Sequence, residues 1–175
     1  MSVQKRTKYL TVSAMLSALG VVCLMLGAFV EVLDLTTAVL ASILCIYAVI
    51  EMGGAYPWGI WLVTSFLSLL LLPMKTPALF YACFAGFYPI IKEKIERYKR
   101  PVRILLKLLV FHICLAGIWG LLRLFLPAEP IPEGIPWFPI LLYAAALICF
   151  LLYDLALTRL ITFYLLRLRN RFHIK

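Results

Sequence analysis

Charge is scarce in this chain. Lys, Arg, Asp and Glu make up 14% of its 175 residues, while 65% are hydrophobic. A soluble domain carries about a quarter charged residues. Mean hydropathy is +1.02. A water-soluble fold of this length has too little interior to hide so much apolar surface, which leaves an integral membrane protein. Acids are the scarcest charges, with 8 against 17 Lys and Arg. In a soluble protein the net charge of +9 would point to nucleic acid. Here the cations lie between and after apolar runs, where they act as topology signals and headgroup contacts. Nucleic acid is therefore not expected as a partner.

Catalytic and metal signatures are also missing. There is no HExxH, GxSxG or Walker-type glycine loop, and no pair of carboxylates inside an apolar span. Cys23, Cys45, Cys83, Cys114 and Cys149 all fall inside apolar spans without a CxxC pair. They read as small polarizable core residues rather than disulfides or ligands. We expect no catalytic residues, no metal and no cofactor. The first apolar span is too long for a signal-peptide core and lacks a small-residue cleavage site, so it is expected to be retained.

What the chain does have is one dense interior run of charge, residues 92–103, in which six of twelve residues are Lys or Arg. Short basic loops stay on the cytoplasmic side. Outward from this loop, helical spans are expected at about 9–30, 35–50, 56–72, 78–91, 104–126 and 137–158, each judged against the ~20 residues a crossing needs. The second and fourth are short. Pro57 suits a first helical turn. Pro89 should bend or stop the fourth span near its inner end. The four prolines of 127–136 favour a stiff extended connection. A basic tail, 159–175, closes the chain. With both termini inside, the Lys and Arg residues divide 15 inner to 2 outer. The expectation is an all-α integral membrane protein of the cell membrane: one six-helix transmembrane domain spanning 1–175, with both termini cytoplasmic.

Several residues stand out against this background. His112 lies eight residues into the fifth span, about 12 Å deep at 1.5 Å per residue. An ionisable group there is a functional candidate, although a neutral His bonded to a neighbouring helix is the plainer reading. Asp154 can pair with Arg159 or Lys107 near the inner headgroups. At the outer side, Glu31, Asp34, Lys75, Arg123, Glu129 and Glu133 cluster. Trp119 and Arg123 are one turn apart, and Trp137 and Tyr143 begin the sixth span. Aromatics with a few charges can line a pocket for a small polar ligand, or form an interfacial belt with a snorkelling Arg. In the first helix Ala14 stands over Ala18 and Ser13 over Ser17, a small-residue spacing that lets another helix approach. Ala82 and Gly86 repeat that spacing in the fourth.

The stretch Thr11-Val12-Ser13-Ala14-Met15-Leu16-Ser17-Ala18-Leu19-Gly20, with six spans and inner termini, resembles the substrate-binding S components of energy-coupling factor (ECF) transporters. That family carries an AxxxA-type motif on its first helix, matched by Ala14 and Ala18. The resemblance implies that these two alanines face a transmembrane coupling subunit joined to a pair of cytoplasmic ATPases. It also implies capture of a small, vitamin-like solute near the outer surface. Glu31 and Asp34 would then sit in the lid, with Trp119, Arg123 and Trp137 in the pocket wall and Lys75 nearby. A non-transport membrane scaffold or assembly factor is the alternative. A lipid-modifying enzyme using His112 or Asp154 is a third reading.

Overall fold

The structure is a computed structural model that describes residues 3–30, 33–125 and 137–168. Among these residues the chain is almost entirely helical and has no strand. It forms α1 (Val3–Phe29), α2 (Asp34–Glu51), α3 (Tyr56–Leu71), α4 (Thr76–Phe80), a π-helical turn (Tyr81–Ala85), α5 (Phe87–Ile95), α6 (Arg100–Phe125) and α7 (Phe138–Phe163), with a second π turn at Tyr164–Leu168. The backbone at Phe80 and Gly86 is right-handed helical, so α4, the π turn and α5 run on as one rod and six rods result. Four stretches are long and apolar enough to cross a membrane: α1, α2, Arg100–Leu121 and Pro139–Leu166. The 16-residue α3 is apolar but shorter.

Contacts divide the chain into two compact units, Met1–Phe125 and Leu126–Lys175, where the sequence suggested one domain. In the first unit, α1, α2 and α3 form a tight antiparallel trio. The α2–α3 turn is closed by the Met52 and Gly53 N–H groups, each donating to the Ala48 carbonyl at 3.0 Å. Gly53 and Gly54 have φ of 59° and 62°, a left-handed backbone that glycine adopts without steric cost. Pro57 occupies the first turn of α3, as its missing N–H allows.

Small residues set the spacing of this trio. A methyl group added at Gly27 would run into the Thr37 hydroxyl, and one at Gly20 would come within 3.0 Å of Thr64 Cγ2. So α1 presents Ser17, Gly20, Val21, Leu24, Gly27 and Ala28 inward, spaced to follow one helical face. Leu24, Ala28, Ala38, Ala41, Leu72, Ala78, Tyr81 and Ala85 form the buried core.

Helix ends differ from expectation in three places. The basic Lys5–Lys8 segment is already helical, so α1 starts six residues earlier than the apolar run. The fourth rod does not stop at Pro89 but continues to Ile95. Proline cannot donate to the carbonyl four residues back and crowds it, and the π turn just upstream absorbs that mismatch. As a result the basic connection shrinks from 92–103 to 96–99: Lys92 to Ile95 belong to α5, and Arg100 to Arg103 open α6. Likewise the basic tail begins inside a helix, since α7 runs to Phe163 and its π turn to Leu168.

Candidate functional site

The two ends of the first unit are chemically unlike. At one end Tyr9 meets Tyr56 edge-on at 5.5 Å, and Lys94 Nζ lies 5.7 Å from the Trp58 ring. Ser13 also reaches Met52 Sδ there, at 3.7 Å. Lys5, Arg6, Lys8 and the Lys92–Lys107 cations belong to this basic, aromatic-rimmed end. The opposite end gathers the C-terminal end of α1, the start of α2, the α3–α4 hairpin and the C-terminal end of α6. Its described charges are Asp34 and Lys75.

Those two residues hold structural positions. Asp34 is half-buried in the first turn of α2, where a carboxylate complements the helix dipole. Lys75 Nζ donates to the Leu69 and Leu72 carbonyls at 2.8 and 2.6 Å. Its ammonium thus caps the C-terminal end of α3, whose last carbonyls have no partner within the helix. Trp119 is 60% exposed on α6. In the second unit, Trp137 caps α7 at 72% exposure. Glu31, Glu129 and Glu133 lie outside the described residues, as does the side chain of Arg123. Asp34 and Lys75 are therefore the charged side chains of the expected outer cluster that the structure brings to one end of the first unit.

Ala14 and Ala18 are both exposed. They share the outward face of α1 with Thr7, Thr11, Met15 and Val22. Ser13 and Ser17, one residue before each, turn the other way. Their hydroxyls donate to the Tyr9 and Ser13 carbonyls, and the Thr64 hydroxyl reaches the Ser17 carbonyl at 3.5 Å. The two small-residue pairs thus serve different faces: the serine edge packs inside the unit, and the alanine edge stays open. In the fourth rod Gly86 is used internally, because an added methyl would come within 2.7 Å of Trp61 and Tyr81.

His112 is exposed, and its Nδ1 donates to the Leu108 carbonyl of its own helix at 2.7 Å. Phe111 lies edge-on to the ring at 5.5 Å. In α7 the Asp154 backbone carbonyl accepts from Thr158 at 2.8 Å. Cys45 and Cys114 are buried, Cys23 and Cys83 half-buried, but Cys149 is exposed. Cys149 is thus not the core residue that was expected. Among the described residues no three His, Cys, Asp or Glu side chains converge as a metal site.

Two features escaped the sequence reading. One is the π turn, beside which side chains reach backbone carbonyls: Trp61 Nε1 donates to that of Ala82 at 2.9 Å, and the Cys45 thiol to that of Gly86 at 3.4 Å. Trp58, Trp61 and Phe87 pack around it with centroids 5.5–5.8 Å apart. Such bulges recur where a helix is adapted to a function. The second is Lys92, 1% exposed. Its ammonium lies 3.6 Å from Glu96 Oε1 and 6.0 Å from the Tyr88 ring centre. The four-residue spacing of Tyr88, Lys92 and Glu96 carried that signal, hidden inside what reads as a solvated loop. No family model, curated protein or solved structure matches this chain.

Proposed function

We propose that this protein is a multi-pass subunit of the cell membrane with six spans and cytoplasmic termini. In this reading it serves as the substrate-binding S component of an ECF-type transporter. A small, vitamin-like solute is captured at the end that carries Asp34. Glu31, Lys75, Trp119, Arg123 and Trp137 are the remaining ligand candidates. The first helix docks on a coupling subunit that joins an ATPase pair. One observation carries the reading: Ala14 and Ala18 lie on the open face of α1 while that helix packs through its serine–glycine edge. Small residues on an exposed face of a membrane helix favour close approach of another helix. The basic end supports cytoplasmic placement of the 96–99 turn.

Native mass spectrometry after co-expression with a coupling subunit and ATPases tests this directly. Ala14→Trp and Ala18→Trp should abolish the complex and leave the isolated chain folded. An undiminished complex removes α1 as the docking helix.

A second reading, a membrane scaffold or assembly factor without transport, is favoured by Lys75. Its ammonium is engaged by two backbone carbonyls, which thins the polar groups left for a solute. A small molecule that survives purification and is lost in Arg123→Ala would overturn that alternative.

A further inference from the structure

The helices of the first unit differ in how much bilayer they can cross. α3 has 16 residues, about 24 Å at 1.5 Å per residue. A hydrocarbon core is about 30 Å thick. In α2, 16 uncharged residues separate Asp34 from Glu51, the same reach. In α1, 22 uncharged residues follow Lys8, about 33 Å. A span that is too long fits by tilting, but tilt only shortens the reach of one that is too short. The mismatch is therefore set by α2 and α3. Both ends of α3 are also held. At its C-terminal end the Lys75 ammonium turns back to the Leu69 and Leu72 carbonyls, so its charge stays level with the last turn. At its N-terminal end Lys94 Nζ lies 5.7 Å from the Trp58 ring, and Tyr56 meets Tyr9 edge-on. Tyr and Trp favour head-group level. Between these ends Leu62, Phe66 and Leu70 stand one turn apart on an exposed face.

We infer that the exposed face of α3 is a seat for phospholipids with short acyl chains, and that the bilayer thins to meet it. Head groups come level with Lys75 at one end and with Tyr56 and Trp58 at the other. Acyl chains lie along Leu62, Phe66 and Leu70. The gap to an average core is about 6 Å. A short span closes such a gap by thinning the bilayer or by snorkelling its flanking side chains. Snorkelling is closed to Lys75, whose ammonium is bound to carbonyls of α3 itself. Thinning is what remains, and shorter chains reduce its cost.

The inference rests on the six-span placement proposed above and not on transport. The test is thermal unfolding of the full chain, followed by tryptophan fluorescence. The vesicles are dimyristoleoyl-, dioleoyl- or dierucoylphosphatidylcholine, whose chains lengthen in that order. The midpoint should be highest in the dimyristoleoyl bilayer and about 5 °C lower in each longer one. Two exposed positions on α3 then separate depth from packing. Leu62→Gln, at mid-span, should lower the midpoint in all three bilayers. Leu70→Gln, near the head groups, should be tolerated in the thinnest and lose most in the thickest. Equal midpoints in the three bilayers, or a maximum in a longer one, overturn the short-chain seat and leave the span in place. An equal loss for Leu70→Gln in all three overturns the seat too. Leu62→Gln without effect in any bilayer takes α3 out of the hydrocarbon and overturns the six-span placement with it.

Discussion

Helices α1 and α6 have the same mean hydropathy over their best windows, 2.2, yet 33% of the α1 window is buried against 17% for α6. Apolar character alone therefore does not decide which membrane helix packs. The difference lies in where the small residues fall. Gly20 and Gly27 bring α1 against Thr64 and Thr37, leaving no space for a methyl at Gly27. On α6, Gly117 and Gly120 have nothing within 4 Å of an added Cβ. In lipid, association is driven by close van der Waals packing rather than by escape from water. So α1 is held by its glycines, whereas Gly117 and Gly120 on α6 close no such contact.

The sharpest way to break this contrast is a bulky residue at matched glycines. Gly27→Leu should cost about 3 kcal/mol or prevent folding, because the added carbon meets the buried, β-branched Thr37 side chain, whose Cβ lies 3.1 Å away and cannot swing aside. Gly120→Leu should change thermal unfolding in detergent by less than about 0.5 kcal/mol. Similar losses in the two variants would erase the distinction.

A smaller effect is expected at the tryptophans. Trp61→Phe removes the donor to the Ala82 carbonyl at the π turn and should cost about 1 kcal/mol for the half-buried acceptor left behind. Trp119→Phe, on the exposed face of α6, should cost less than about 0.5 kcal/mol in the same assay. The smallest effect has the opposite sign. Gly117→Ala should stabilise by about 0.5 kcal/mol through helix propensity, since the new methyl meets no neighbour. A loss there would mean that α6 packs as closely as α1.

Helix existence was legible in the sequence because apolar runs and proline-marked turns are local signals. α2 and α3 match their expected spans within a residue or so at each end, and Pro57 opens α3. What escaped depends on tertiary partners. The π turn forms where the fourth rod must pass Pro89 and meet Trp61, and no composition marks it. Lys92 reads as loop because its neighbours are charged, yet α5 carries it inward to Glu96. Ala14–Ala18 and Ser13–Ser17 have identical spacing, so periodicity could not say which pair packs. The outer cluster was legible only as a list of charges. Lys75 proves to be a helix cap, a role that depends on where α3 ends.

The orientation of the bundle underlies the proposed function and is open to one direct measurement. In a variant lacking its native cysteines, Met74→Cys and Tyr98→Cys each place a single thiol at an exposed position at opposite ends of the first unit. A membrane-impermeant maleimide should label Met74→Cys in intact cells, and Tyr98→Cys only after the membrane is permeabilised. Labelling of Tyr98→Cys in intact cells would contradict this account and turn the basic end outward.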